Sequence, residues 1–195
     1  MKGGNKLKKR IICFVFSSML LSSCSFQQTV KEEKQFVGNA DGAVDRVSSP
    51  VSLKDAKKYF SPGFKVPTYL PYDAMSNVKG EVRIIGKKNT VLTAKYKQQE
   101  KGRKDYIELT VANFSYSFPY IVEQNRFHEK MRLDNGSAAY FKNRDEGEQG
   151  EEFATLIWKE KGLEYQLLYR NVELGNEEEV KQNLLYIANH MEEKN

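Results

Sequence analysis

Two cysteines and two histidines are the side chains of this chain best suited to nucleophilic or metal chemistry. Nucleophilic catalysis needs a Ser or Cys beside a base, and a catalytic zinc usually needs three protein ligands. His128 falls among charged residues of a predicted strand, and His190 lies in the last turn of a predicted helix, so we expect both to be structural or solvated. The sequence therefore predicts no catalytic residue, no metal site and no cofactor.

An acidic cluster around two glycines is a second candidate for chemistry, and it consists of Asp145, Glu146, Glu148, Glu151 and Glu152. Such a cluster could hold a cation or supply paired carboxylates to a glycosidase. Its spacing lacks the Asp-x-Asn/Asp-x-Asn/Asp-Gly pattern of a calcium loop, and a flexible loop does not fix the carboxylate separation that glycoside hydrolysis needs. The spacing favours a solvated loop between two strands.

Aromatic residues recur at every second position of the segment 113–120, as Phe114, Tyr116, Phe118 and Tyr120. In an extended strand these four side chains would share one face. They are then either core, covered by a C-terminal helix, or an open platform for a sugar, a peptide or a lipid chain. Pro119 cannot donate to a strand ladder, which favours an edge or a bulge. The four aromatic residues are our candidate binding stripe.

Residues 1–23 have the layout of a signal peptide. Basic residues with no acidic one among them precede an apolar run of eleven residues, Ile11–Leu21, which is short of the roughly 20 that a membrane-spanning helix needs. The next segment, Leu21-Ser22-Ser23-Cys24, resembles the lipobox of bacterial lipoproteins. This resemblance implies cleavage between Ser23 and Cys24 and a lipid on the Cys24 thiol. The protein would then be anchored in the cell membrane, facing its extracytoplasmic side.

Charge composition argues against a nucleic-acid partner once the leader is set aside. The leader holds five of the 31 Lys and Arg residues and none of the 26 Asp and Glu residues, so residues 24–195 carry 26 of each sign. Nucleic-acid binding usually needs a basic surface. Because Cys13 belongs to the leader, we expect a domain that is stabilised by its core, without disulfides or a cysteine-based zinc site.

Hydropathy divides residues 24–195 into a tether and a domain. Residues 24–50 are polar without a period, which predicts the lipidated Cys24 and a flexible tether. Residues 51–195 predict a single monomeric α+β domain with a mostly antiparallel sheet of six to eight strands. A short helix capped by Ser52 precedes the sheet, and a C-terminal helix with one apolar stripe packs on it.

The sequence also predicts two hairpin turns of the sheet and raises a question about one charged residue, Glu129. Asp134-Asn135-Gly136 and Glu160-Lys161-Gly162 are turn signals that predict hairpins. Glu129 shares the strand phase of Phe127 and Met131, which should face the core. A bulge or a different phase is a better interpretation of Glu129 than a buried carboxylate.

Three segments of the domain carry a family resemblance: Val66–Pro71, Leu156–Leu167 and the helix Glu177–Met191. They contain Pro-x-Tyr-Leu-Pro, then Trp-x-x-x-Gly-x-x-Tyr-x-Leu, then Ile-Ala-x-x-Met. Together they resemble an uncharacterised extracytoplasmic domain of Gram-positive lipoproteins, which also occurs beyond the membrane helix of some anti-sigma factors. The family has no catalytic residues to carry over. The resemblance therefore implies an envelope location and a sensing or binding role.

Three functions are compatible with these features. The first is a membrane-tethered binding or interaction domain without chemistry of its own, whose partner is an envelope protein, a peptide or an apolar ligand. The second is a carrier or sensor whose sheet curves around a lipid or another apolar molecule. The third is a cell-wall hydrolase that uses carboxylates alone. The missing catalytic groups favour the first, which is not an enzyme.

Overall fold

The structure is a computed structural model of the chain that describes residues 36–38, 44–146, 152–170 and 177–193. The strands of these residues are β1 (Phe36–Gly38), β2 (Val44–Val47), β3 (Val51–Ser52), β4 (Lys65–Pro67), β5 (Lys79–Ile85), β6 (Asn89–Lys97), β7 (Tyr106–Ala112), β8 (Glu129–Arg132), β9 (Ala138–Glu146), β10 (Glu152–Glu160), β11 (Leu163–Arg170) and β12 (Met191–Glu193). The helices are α1 (Leu53–Ala56), which continues as a 3-10 turn (Lys57–Tyr59), a π-helical turn (Pro119–Glu123) and α2 (Glu177–Asn189).

Ten of these strands form one antiparallel sheet, in the order β1-β2-β5-β6-β7-β11-β10-β9-β8, with β3 also paired to β5. Strands β4 and β12 form a separate antiparallel pair. The hairpin β10–β11 lies between β7 and β9, so its strands are central, as the apolar run Phe153–Trp158 predicts. The predicted α+β class with a mostly antiparallel sheet is confirmed, although the described sheet has ten strands rather than six to eight.

The additional strands come from the segment that the sequence assigns to the tether. Strand β1 pairs with β2, and β2 pairs with β5 through Arg46 and Val47. The Ser48 N–H donates to the Val82 carbonyl at 2.8 Å, and the Val82 N–H donates back to Ser48 Oγ at 3.0 Å. The tether prediction is therefore wrong for residues 36–38 and 44–50, because the exposed edge of β5 provides partners that a local pattern does not reveal.

The main core lies between the sheet and α2, on a side that we call the α2 face. Helix α2 contacts β9, β10 and β11, and the predicted apolar stripe Val180, Leu184, Ile187 and Ala188 is buried there. The largest fully buried side chain is Trp158, whose ring stacks on that of Tyr165 with 5.2 Å between centroids. Because side chains alternate along a strand, the neighbours of these residues point to the opposite side, which we call the loop face.

The N-terminal helix forms where the sequence predicts it. The Asp55 N–H donates to Ser52 Oγ at 3.1 Å, as in a capping box. Gly80 explains how α1 can approach the sheet so closely, because a Cβ atom there would lie 2.4 Å from Leu92 Cδ1 and 3.2 Å from Leu53 Cδ2. Only a residue without a side chain leaves room for both leucines.

Glu129 lies in the predicted phase but at the end of the sheet. It pairs with Phe141 in regular register, so β8 has no bulge at this position. Since β8 is the outermost strand, the carboxylate reaches solvent and forms an ion pair with Lys181 of α2 at 2.8 Å. Hydrogen bonds to Glu129 and Glu178 raise the pKa of the Lys181 amine above its ordinary value. The edge position, and not a change of phase, accommodates this charge.

Candidate binding surface

The aromatic stripe of residues 113–120 is not a strand in the structure. Bends follow β7, and the π-helical turn Pro119–Glu123 comes next, so the four aromatic side chains do not share a strand face. The segment lies on the loop face and not beneath α2. The structure therefore corrects the prediction of an extended strand, and it also corrects the interpretation in which the C-terminal helix covers the four aromatic residues. A π-helical turn is rare and often marks a functional site. Asn125, which follows it, has a left-handed φ of 55°.

A buried carboxylate holds this loop. Glu164 of β11 is 3% exposed, and its two oxygens accept the backbone N–H groups of Tyr116 at 2.9 Å, Ser117 at 2.6 Å and Phe118 at 3.2 Å. A buried charge is costly unless it is hydrogen-bonded, and these three bonds provide that compensation. The consequence is a loop with fixed backbone geometry at the point where its aromatic side chains begin.

Further contacts fasten the same loop to the loop face. Ser117 Oγ donates to Gln166 Oε1 at 3.0 Å, and Ile121 is buried. The ring of Phe118 packs edge-on against Tyr140 of β9 with 5.6 Å between centroids, and Phe127 does the same at 4.9 Å. Phe118 therefore serves to attach the loop and is half-buried rather than core.

Two tyrosines of the candidate stripe stay open to solvent on this fixed loop. Tyr116 is 38% exposed and Tyr120 is 50% exposed, whereas Phe114 and Phe118 are half-buried. Tyr is a rigid side chain with an apolar body and a polar tip, so it binds partners at a low entropic cost. The loop thus presents two preorganised aromatic side chains.

Four cations lie over aromatic rings of this loop and of the neighbouring strand β9. The guanidinium of Arg126 lies 4.0 Å from the Tyr120 ring centroid, and that of Arg83 lies 5.8 Å from the Tyr116 ring and donates to its hydroxyl. The ammonium of Lys159 lies 4.1 Å from the Phe118 ring. Lys130 is 5.7 Å from the ring of Tyr140. We call the set Arg83, Tyr116, Tyr120, Arg126, Lys130 and Lys159 the cationic–aromatic surface.

The cations of this surface have no carboxylate partner in the part of the chain that the structure describes. Arg83, Arg126, Lys130 and Lys159 each contact an aromatic ring, and the ion pairs of the described residues involve other cations. The loop between β7 and β8 contributes one exposed carboxylate, Glu123. The surface is therefore locally positive, although residues 24–195 carry equal numbers of acidic and basic residues.

Sequence reasoning identified the tyrosines but missed the charged residues that define this surface. Glu164 can be recognised from the sequence as unusual, because it is a carboxylate within the largely apolar segment Leu163–Tyr169. No sequence pattern marks the four cations, because they come from β5, the loop after β7, β8 and β10. Only the order of the strands in the sheet brings them to one surface. The surface depends on contacts between strands that are distant in the sequence.

The other candidates for chemistry lie apart from this cluster or outside the described residues. His128 Nδ1 accepts the Asn143 N–H at 3.1 Å, and His190 contacts the Tyr186 carbonyl at 2.8 Å, so each interacts with backbone. Ser23 and Cys24 lie outside the described residues, as does the middle of the acidic loop, residues 147–151. Among the residues that the structure describes, no three His, Cys, Asp or Glu side chains cluster as metal ligands would.

No helix within the described ranges is both long and apolar enough to cross a membrane. Comparisons of the chain with protein-family models, with curated proteins and with solved structures gave no match. The geometry of the chain's own residues is therefore the basis for a functional proposal.

Proposed function

We propose that this chain is a lipid-anchored extracytoplasmic protein and that its domain binds the anionic headgroups of the membrane through the cationic–aromatic surface. The basic leader, the short apolar run and the lipobox-like segment ending at Cys24 support the anchor. The resemblance of roughly residues 60–191 to an extracytoplasmic domain of Gram-positive lipoproteins supports the same location. The domain then acts by binding rather than by catalysis.

One observation carries the membrane-binding proposal: four cations without a described carboxylate partner lie over aromatic rings on or beside the loop that Glu164 fixes. The two arginines among them contact the half-exposed tyrosines of that loop. Tyrosine together with Lys or Arg is the composition that proteins use at the boundary between lipid and water. The hydroxyl of each tyrosine suits the headgroup layer, and the cations attract phosphate.

The chain length between anchor and domain favours the membrane as the partner. Eleven residues lie between Cys24 and Phe36, the first residue of β1. Fully extended, they span at most about 40 Å. The anchored domain therefore stays close to lipid headgroups, and a weak surface interaction suffices to orient it.

The expected strength is modest. Each Lys or Arg near an anionic membrane contributes about 1 kcal/mol, so four cations contribute roughly 4 kcal/mol, or a factor of about a thousand in partitioning. A single surface of this strength would bind membranes reversibly and would add to a lipid anchor. The interaction should weaken as salt is added, because exposed charges are screened.

Vesicle sedimentation tests the proposed surface. The chain without residues 1–23 and with Cys24→Ser is mixed with vesicles of phosphatidylglycerol and phosphatidylcholine, or of phosphatidylcholine alone. We expect binding to the anionic vesicles, reduced roughly a hundredfold by the triple substitution Arg126→Ala, Lys130→Ala and Lys159→Ala. The control triple Lys54→Ala, Lys58→Ala and Lys101→Ala removes the same charge from other exposed positions. Equal losses in both triples, or no binding by the parent chain, would overturn the proposal.

A separate experiment tests the anchor. In bacterial cells fed a labelled fatty acid, the parent chain should take up label and fractionate with membranes. Cys24→Ala should take up none, and it should be released or remain an uncut precursor. Equal labelling of both chains would refute the lipid on Cys24 without affecting the vesicle result.

A further inference from the structure

A cleft of about 360 Å³ lies between the segment after β4 and the outer side of α2, away from the cationic–aromatic surface. Its lining residues are Tyr69, Gln182, Asn183, Leu185, Tyr186 and Asn189. The volume is within the range of small-molecule sites. Because α2 covers the face of the sheet opposite the loop, this cleft and the cationic–aromatic surface are on opposite sides of the domain.

Two exposed tyrosines line this cleft, Tyr69 from the segment after β4 and Tyr186 from α2. Tyr69 is 41% exposed and Tyr186 is 47% exposed, and their rings meet at 76° with 4.6 Å between centroids. The His190 ring stacks on the Tyr186 ring with 3.9 Å between centroids, and this contact helps to fix the orientation of Tyr186. In an edge-to-face pair one ring presents its edge to the other, so at least one face of Tyr69 is not covered by Tyr186. An open aromatic face of this kind can stack on the C–H face of a sugar ring.

Amide side chains of α2 line the same cleft, and part of their hydrogen-bonding capacity is unused within the described part of the chain. Gln182 donates its NH₂ group to Glu178 at 2.7 Å, which leaves its carbonyl oxygen available. Asn189 accepts the Asp134 N–H through Oδ1 at 3.0 Å, which leaves its NH₂ group available. The side chain of Asn183 makes no hydrogen bond with described residues. The cleft thus offers both donors and acceptors beside an aromatic ring.

The lining contains no charged side chain. A site for an ion would need an opposite charge, whereas neighbouring sugar hydroxyls need planar groups that both donate and accept hydrogen bonds. We propose that this cleft binds a neutral saccharide of one or two rings, which stacks on Tyr69 and hydrogen-bonds to Asn183, Gln182 and Asn189. The proposal does not depend on membrane binding.

Titration by nuclear magnetic resonance tests the cleft. Chitotetraose and maltotetraose are the probes, tested separately, and the protein is the chain without its leader and with Cys24→Ser. We expect saturable shifts of the backbone amides of Tyr69 and residues 182–190 with at least one probe. Tyr69→Ala and Asn183→Ala should each weaken that binding about tenfold or more. Met75→Ala, which removes an exposed apolar side chain elsewhere (53% exposed), is the control and should bind as the parent does.

The variants also separate binding from folding. Asn183→Ala removes no side-chain hydrogen bond to a described residue, and Ala has a higher helix propensity than Asn inside α2. Its melting temperature should therefore not fall below that of the parent, and a loss of shifts would reflect binding alone. The proposal is wrong if neither sugar shifts these amides up to about 10 mM, a concentration at which even millimolar sites are largely filled. It is also wrong if both variants bind like the parent, or if tetra-alanine produces the same shifts.

Discussion

The two faces of the sheet are stabilised by different physics. On the α2 face, apolar side chains pack around Trp158 and exclude water, and their stabilisation grows with the buried area. On the loop face, buried Glu164 and Glu108 lie among threonines, and directional contacts hold them. Glu108 forms ion pairs with Lys95 at 3.7 Å and with Arg170 at 3.5 Å.

This contrast bears on where a function can be placed. A face that already compensates buried charges with hydrogen bonds can fix a backbone loop and leave side chains such as Tyr116 and Tyr120 exposed. An apolar face provides burial but few directional contacts. We therefore locate the proposed membrane-binding function on the loop face.

The largest loss of stability should come from the centre of the α2 face. Trp158→Ala removes a side chain that is 1% exposed and should lower the free energy of unfolding by about 3–5 kcal/mol. Phe118→Ala on the loop face removes a half-buried ring and should cost about 1–2 kcal/mol. Urea denaturation of both variants measures the difference. Similar losses would mean that the two faces do not differ as we describe.

Glu164 should cause the largest loss on the loop face, and the loss should be local. Glu164→Ala leaves three backbone N–H groups without their charged acceptor and should cost about 2–4 kcal/mol. Hydrogen exchange at Tyr116, Ser117 and Phe118 should quicken, while exchange in β10 follows global stability. Gln166→Leu, which loses a single side-chain bond to Ser117, is the control and should cost about 1 kcal/mol. Unchanged exchange at the three amides would exclude the role of Glu164.

Alkaline pH should lower the stability of the domain mainly through buried tyrosines of the α2 face. Burial raises the pKa of Tyr165 and of Tyr169 to about 12 each, from 10.0. Because the folded chain holds these phenol protons more tightly than the unfolded chain, their contribution is complete below pH 10 and is lost as pH rises to about 12. The loss should be on the order of 1–2 kcal/mol per phenol. Urea denaturation at pH 8, 10 and 11.5 measures it, and Tyr165→Phe should reduce the slope. A flat profile in this window would contradict the prediction.

Removing a single buried tyrosine hydroxyl should change stability less, and Tyr72 and Tyr96 provide a matched comparison. Tyr72 Oη donates to the Tyr96 carbonyl and accepts the Ile107 N–H at 2.7 Å, so Tyr72→Phe should cost about 1–2 kcal/mol. Tyr96 is 5% exposed and its hydroxyl has no hydrogen-bond partner among described residues. Tyr96→Phe should therefore be neutral within about 0.5 kcal/mol, or stabilising. Thermal melting of both variants provides the test, and a larger loss for Tyr96→Phe would indicate a partner for that hydroxyl.

The sequence pattern predicts the α2 face well and the loop face poorly. Alternating apolar residues place the central strands, Asp134-Asn135-Gly136 places a hairpin, and the stripe from Val180 to Ala188 identifies the packing side of α2. These features depend on short stretches of sequence, where the periodicity of side chains reports directly on burial.

The parts that sequence reasoning missed depend on distant partners. Alternating aromatic residues suggested a strand at Phe114–Tyr120, but the backbone N–H groups of this segment bond to Glu164, some 46–48 positions away. Strands β1 and β2 exist because β5 has a free edge. In both places a nonlocal acceptor determines the conformation, and local propensity carries no information about it.

The proposed membrane-facing side is tested most directly by paramagnetic relaxation. The chain without its leader and with Cys24→Ser is bound to phosphatidylglycerol nanodiscs that contain a gadolinium-chelating lipid, and the loss of amide signal is measured residue by residue. The proposal predicts the strongest losses from Ser115 to Phe127 and at Lys130, with weak losses at Tyr69 and along α2. Strongest losses along α2, or uniform losses over the whole domain, would contradict it.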